Sequence, residues 1–291
     1  MNFKPIYFSS SDGLQLYARI YEPESAYART VVCLAGLTRN ARDFDGLALR
    51  LTAAGARVIT FDSRGRGASA FAKDAADYNL NMEAQDLLSG LAALGIEHAN
   101  FIGTSRGGLI LHVLAGMRPT VLKSVILNDI GPVIEPDGLM QIRSYLENAP
   151  RPKNWTEAVS IQMAIHAKAF PVLSNEDWER HARAIYKDDG KGNIVADFDP
   201  KIAQTLASLQ ADTRLPAIWP QFAGLGGIPL MVIRGENSRL LSEKTFEEMG
   251  KRHPNCTLVT ASGQGHAPML DIGNLPEQII DFLVPQAKRS K

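Results

Sequence analysis

The chain has 291 residues, 45% of them hydrophobic and 21% charged, which suits a soluble globular fold able to bury roughly three quarters of the surface its unfolded form exposes. Lysine plus arginine and aspartate plus glutamate balance at 31 each, so the total charge argues for neither a nucleic-acid partner nor an anionic membrane. Two isolated cysteines, Cys33 and Cys256, predict reduced thiols rather than a disulfide or metal framework. The start Met1-Asn2-Phe3-Lys4-Pro5 lacks the pattern of a secretory signal, and no run approaches the roughly 18 apolar residues of a membrane span. A cytoplasmic protein is therefore expected, with the basic end Lys288-Arg289-Ser290-Lys291 as a solvated tail.

In chain order, Ile6 to Ser10 and Leu14 to Tyr21 alternate in the strand manner around Asp12-Gly13, which predicts an opening hairpin. Thr30 to Leu34 is a continuous apolar run, the mark of a strand buried on both faces, and it ends in Ala35-Gly36-Leu37-Thr38. A helix is predicted from Ala41 to Ala53, with Phe44, Leu47, Ala48 and Leu51 at helical spacing and Gly55 as its stop. A second buried strand, Arg57 to Phe61, leads into Asp62-Ser63-Arg64-Gly65-Arg66-Gly67-Ala68-Ser69, and Asn81 can cap a helix that runs to Leu94.

The next stretch organises the whole chain. Asn100-Phe101-Ile102 runs as a strand through Gly103-Thr104-Ser105-Arg106-Gly107 straight into an apolar helix, the strand, sharp turn and helix context that a G-x-S-x-G nucleophile elbow requires. A serine at such an apex needs small neighbours, because the turn presses backbone against backbone. The following strand, Val121 to Leu127, ends in Asn128-Asp129-Ile130-Gly131-Pro132. Up to this point strands and helices alternate, which implies a mostly parallel sheet with helices on both faces.

From about Val133 to Leu215 the alternation stops. The segment reads as helices separated by Pro150-Arg151-Pro152, by Pro171 and by the polar turn Asp188 to Asn193. Such an insertion, rising over the C-terminal edge of the sheet, would roof the serine. Alternation resumes with the strand Ile228 to Gly235, a helix from Glu243 to Arg252, the strand Thr257 to Thr260, the loop Gly263-Gln264-Gly265-His266-Ala267-Pro268 and a last helix from Pro276 to Leu283.

A serine hydroxyl becomes nucleophilic only when a base takes its proton and a third group orients that base. Six histidines are available. His98 precedes the elbow strand, His112 lies in the helix after it, His166 and His181 lie in the insertion, and His253 ends a helix. His266 sits in a glycine-bounded loop after the last strand, at the edge where a parallel sheet presents its functional groups.

An elbow serine, a late histidine in a G-x-G-H loop, an Asp-x-Arg-Gly-x-Gly-x-Ser turn and a helical insertion together resemble the α/β-hydrolase superfamily over essentially the full length. Within it the chain is similar to the lidded bacterial serine esterases. The resemblance implies an α/β-hydrolase core over 1–132 and 216–291 with a helical cap over 133–215. It also implies Ser105 as nucleophile, His266 as base, and an oxyanion hole built from the backbone N–H groups of Leu37 and Arg106. Relatives often carry His-Gly before the first of those donors, where this chain has Ala35-Gly36.

For the acid, many relatives use a carboxylate just past the seventh core strand, where this chain reads Gly235-Glu236-Asn237-Ser238-Arg239. Others place it after the sixth, where Asp129 stands. Both Asp129 and Glu236 are candidates, with Asp129 preferred, while Asp62 reads as tying its own turn together. The expected activity is hydrolysis of a small carboxylic ester, thioester or lactone through an acyl-enzyme, with no metal or organic cofactor. The alternatives are carbon–carbon bond hydrolysis of a ring-cleavage product by the same triad, and a non-catalytic ligand-binding homologue, for which the arginine at 239 is the support. Partners are expected to be small molecules, with no nucleic acid and no membrane.

Overall fold

In a computed structural model of the chain, residues 2–24, 29–148, 150–207, 209–210 and 213–284 are described; the basic end from Lys288 lies outside them. An eight-stranded sheet in the order β1-β2-β4-β3-β5-β6-β9-β10 forms the frame. Its strands are β1 (Lys4–Ser9), β2 (Gln15–Tyr21), β3 (Arg29–Leu34), β4 (Ala56–Asp62), β5 (Ala99–Thr104), β6 (Leu122–Asn128), β9 (Leu230–Gly235) and β10 (Cys256–Ala261). The opening hairpin pairs β1 with β2, and β2 joins β4, both antiparallel. From β4 to β10 every neighbouring pair is parallel.

Alternation along the strands divides the core into two layers. Val32, Leu34, Phe101, Val125, Leu127 and Val232 meet helices α2 (Leu80–Ala93), α3 (Arg106–Met117) and α9 (Glu243–Arg252) on one face. Val31, Cys33, Ile102, Ile126, Met231 and Ile233 meet α1 (Asp45–Ala53) and α10 (Leu275–Leu283) on the other. A strand that fills both layers reads as a mostly apolar run. Where these strands bury polar side chains, as at Asn100 and Ser124, the two meet each other, Ser124 Oγ donating to Asn100 Oδ1 at 2.8 Å.

Three expectations need correction. The first helix opens as a 3₁₀ turn, Ala41–Phe44, before α1. The cap of α2 is Asn79, whose side chain accepts from Met82 N–H, and not Asn81, which is the second residue of the helix. The insertion is not purely helical. Besides α4 (Pro136–Asn148), α5 (Trp155–His166), α6 (Asn175–Ile185) and the short α7 (Lys201–Gln204), it holds an antiparallel hairpin of β7 (Tyr186–Asp188) and β8 (Ile194–Ala196). The polar stretch taken as a turn between helices is the tip of that hairpin, with Asp189 accepting from Lys191 and Asn193 N–H.

The insertion leaves and re-enters the core at one point, since Ile218 N–H donates to Pro132 O at 2.8 Å. The short helix α8 (Trp219–Ala223) then leads back to β9. Asp197 and Phe198, just past β8, dock on the turn after β4: Gly67 N–H donates to Asp197 O, and Arg66 bridges Phe198.

Candidate active site

Strand β5 runs into α3 with a single residue at the apex, Ser105, held at φ 50. Its neighbours explain the glycines. A Cβ on Gly103 would lie 2.6 Å from Gly108 N, and one on Gly107 would lie 2.2 Å from Leu34 O, distances no side chain tolerates. The other non-glycine residue at positive φ among the described residues is Asp129, at φ 54. Both stand one residue past a strand, Ser105 after β5 and Asp129 after β6, and such outliers persist only where the surroundings over-determine them.

Those two residues and His266 form one hydrogen-bonded line. His266 Nε2 lies 2.9 Å from Ser105 Oγ, and Nδ1 lies 2.8 Å from Asp129 Oδ2. A carboxylate can only accept, so Nδ1 carries the proton and Nε2 of the neutral ring is free to accept from the serine hydroxyl. Asp129 is fully buried, 0% exposed, and its oxygens are satisfied: Gly235 N–H donates to Oδ1 at 2.9 Å and Ser238 Oγ donates to Oδ2 at 2.6 Å. Sequence reasoning missed this part for Ser238. In the tetrad Glu236-Asn237-Ser238-Arg239 the sequence offers Glu236 as a second candidate acid, whereas its serine donates to the Asp129 carboxylate.

Glu236 points elsewhere, accepting from Gly263 N–H at 2.7 Å and so bracing the loop that carries His266. The other histidines separate as well. His112 is buried in α3 against Gly108 O, His253 is buried with Nε2 on Leu225 O, and His98 is exposed. His166 and His181 lie over the serine, in the wall of the same cavity.

Leu37 lines the same cavity as Ser105, and Arg106 follows that serine in the chain; a buried ionic network ties Leu37 and Arg106 together. Arg66, 0% exposed, donates from Nε to Leu37 O at 2.7 Å and from Nη1 to Glu83 Oε1 at 2.8 Å. Glu83 Oε2 in turn accepts from Arg106 Nε at 2.8 Å, and Arg106 Nη2 also reaches Tyr78 O. Burial pushes the Glu83 carboxyl up, but the charges of Arg66 and Arg106 outweigh it and hold the group below the usual carboxylate range. The helix-start N–H of Arg106 has no partner within its own helix, which suits it to an anion. The Leu37 loop, which follows Ala35-Gly36, is thus held by an arginine from the turn after β4.

Asp62 begins that turn and is structural, accepting from Ala41 N–H at 2.7 Å and Ala68 N–H at 2.8 Å. Burial raises its carboxyl to about 6 in spite of those two bonds.

A cavity of about 750 Å³ opens over Ser105 and His266, walled by Leu37 and Arg39 below and by Tyr145, His166, Phe170 and His181 above. The roof touches the loop that carries His266 closely. Asn237 Nδ2 donates to Ala169 O at 3.0 Å, and a Cβ on Gly265 would lie 2.8 Å from Ala169 Cβ. Burial, with the charge of Arg39 and of His266 behind it, lowers His166 to about 4, and burial drives His181 well below the usual histidine range. Both rings are therefore neutral at pH 7. Among the described residues no group of histidine, cysteine or carboxylate side chains is placed to hold a metal ion, and no helix is long and apolar enough to cross a membrane.

The sequence model of the alpha/beta hydrolase fold matches residues 29–271. The chain is 33% identical to a 3-hydroxybutyrate-oligomer hydrolase of Cupriavidus necator, over 84% of this chain and 85% of that one. It is 25% identical to a 2-(acetamidomethylene)succinate hydrolase of Mesorhizobium japonicum, over 79% of each. Among solved structures, an alpha/beta hydrolase from Novosphingobium aromaticivorans superposes with a TM-score of 0.89 at 38% identity, covering 97% of this chain and 98% of that one.

Proposed function

The chain belongs to the α/β-hydrolase fold family and is a hydrolase, and from that premise we propose that it cleaves a small carboxylic ester, thioester or lactone through an acyl-enzyme on Ser105. The observation that carries this reading is the unbroken line from Ser105 Oγ through the His266 ring to the buried Asp129 carboxylate, at 2.9 and 2.8 Å. Ser105 attacks the carbonyl carbon as its proton passes to His266 Nε2. The imidazolium so formed is stabilised by Asp129, which keeps Nδ1 protonated throughout. The tetrahedral oxyanion is received by the N–H groups of Leu37 and Arg106, a contact that strengthens as negative charge gathers on the oxygen. Collapse breaks the bond to the leaving alcohol, which takes the proton from Nε2. Water, deprotonated by the same nitrogen, then releases the acid and restores Ser105.

Residues 133–215 act in this reading as the lid. They roof the serine from above while the core holds the reacting groups, so they limit which substrates reach it. A cavity of about 750 Å³ suits a small substrate, and the Cupriavidus relative supports an ester, since a hydroxy acid joined to itself is joined through ester bonds.

Labelling with a fluorophosphonate tests the proposal directly. A single adduct on Ser105, with parallel loss of turnover of a short-chain aryl ester, is the expected result. No adduct, or an adduct that leaves turnover intact, would overturn it.

A further inference from the structure

The wall of the cavity over Ser105 is electrostatically lopsided. Five arginines line it against three aspartates, Asp43, Asp45 and Asp271, and each of the three is already engaged by an arginine: Arg39, Arg19 and Arg180 respectively. Arg39, Arg42 and Arg180 are each paired, with Asp43, Asp197 and Asp271, while Arg151 and Arg183 form no ion pair among the described residues. The wall therefore keeps an excess of positive charge in a cavity where a charge acts more strongly than it does in bulk water.

Arg39 stands beside the nucleophile in the cavity wall. Its Cγ and the Cβ of Ser105 flank Gly36 on the same side, 3.4 and 3.8 Å from where a Gly36 Cβ would stand. Asp43 grips the guanidinium edge-on, Nε at 2.8 Å from Oδ2 and Nη2 at 2.5 Å from Oδ1. That grip fixes the plane of the fork and leaves Nη1 with no hydrogen-bond partner among the described residues. The side chain is 20% exposed, open to the cavity. Its charge is felt across the space by roof groups, helping to hold His166 and His181 neutral.

We propose that Arg39 is the anchor for a carboxylate on the substrate, so that the enzyme acts on acidic esters: molecules in which a free carboxylate stands a few carbons from the scissile ester. The inference rests on the ester-hydrolase reading of the site and names its substrate class. A planar fork held in place by Asp43 loses little freedom when a carboxylate docks, which is the advantage of arginine over lysine at such a position. The neutral roof histidines and Tyr145 add polar groups without adding charge, and the guanidinium of Arg106, next to Ser105 in the chain, is held by Glu83. Asp43 partly offsets the Arg39 cation, so the anchor selects among substrates and does not trap the acidic product.

Binding separates this proposal from the catalytic one. Calorimetry on the Ser105→Ala protein would compare 3-acetoxybutyrate with its neutral primary amide, a pair that differs in the carboxylate alone. The acid is expected to bind at least about tenfold more tightly, the effect of one charge-assisted hydrogen bond. Adding Arg39→Met should collapse that preference, Arg39→Lys should retain part of it, and Asp43→Asn should enlarge it. Equal affinity for acid and amide, binding of neither, or a preference that survives Arg39→Met would each overturn the proposal. Failure of Ser105 to react with a fluorophosphonate would instead sink the hydrolase reading and leave the binding preference to be judged by itself.

Discussion

The floor and the roof of the cavity are built on different principles. The floor is made of strand ends: Ser105, Asp129 and His266 follow β5, β6 and β10, and their places are set by backbone that is buried, paired and, at Ser105 and Asp129, held at positive φ. The roof is made of helix faces from α4, α5 and α6, and lines the cavity with side chains such as Tyr145, His166 and His181. Backbone anchored in a sheet locates atoms closely enough for chemistry, while helices resting on that sheet can vary their side chains without moving it. Damage to the floor should therefore appear in turnover, and damage to the roof in selectivity.

The largest effects belong to the floor. Ser105→Ala should abolish turnover of an aryl ester, a loss on the order of 10⁶ in kcat, with the thermal midpoint unchanged because the hydroxyl's one bond is to a part-exposed ring. Asp129→Asn should cost on the order of 10⁴, since an amide can present its NH₂ to the ring and favour the wrong tautomer. Glu236→Gln should stay within about tenfold, because it only braces Gly263 and loses no contact made in the transition state. If the order of these two carboxylates came out reversed, Asp129 would not be the acid.

The ionic network that joins the Leu37 and Arg106 loops, the proposed oxyanion hole, gives the next effect. Glu83→Gln keeps the shape but removes the charge that holds Arg66 and Arg106, and with them the loops of Leu37 and Arg106. The expected result is a fall of about 10² in kcat with KM little changed, as for a weakened oxyanion donor, and a matching loss of affinity for a trifluoromethyl ketone, which forms the tetrahedral adduct. Breaking a buried pair also destabilises by about 3–5 kcal/mol, so urea unfolding must accompany the kinetics. A variant that is less stable yet keeps its affinity for the ketone would make the network a matter of folding only.

Smaller changes are expected from the roof. Tyr145→Ala enlarges the cavity away from the serine, and should shift the preferred acyl length upward by a few carbons while moving kcat on an acetyl ester by less than about tenfold. An equal fall in kcat on every chain length would place Tyr145 with the floor.

The mildest effect is in acid. His166 titrates at about 4 in the folded roof but near 6.5 in an unfolded chain, so the unfolded chain binds more protons between those values. Stability contributed by keeping the ring neutral is complete above about pH 6.5 and declines as pH falls toward 4. His112, buried in α3 and also lowered to about 4, adds the same slope from the floor. Hydrogen exchange at pH 5 should show roof amides opening before those of α3, whose helix is packed between sheet and α2. His166→Gln should flatten the thermal midpoint against pH. An unchanged slope would mean that His112 and the likewise lowered His181 carry it.

Much of this molecule can be read from its sequence because the relevant physics is local. Two-sided burial shows as mostly apolar strands, the elbow shows as glycines around a serine, and the interruption of alternation after Pro132 marks where the insertion departs. What lies across the sheet is not local. That Asp129 and not Glu236 reaches His266 depends on β6 lying beside β9, which puts residues 137 positions apart within 2.8 Å. Ser238 gains its partner only by that adjacency, and Arg66 finds Leu37 only because the turn after β4 folds under the end of β3. The hairpin of β7 and β8 was hidden because its strands are three residues each, too short for alternation to register. Sequence determined which groups sit at strand ends and which segment leaves the core; the order of strands in the sheet decided which of those groups meet, because hydrogen bonds between side chains depend on neighbours in space that no spacing along the chain encodes.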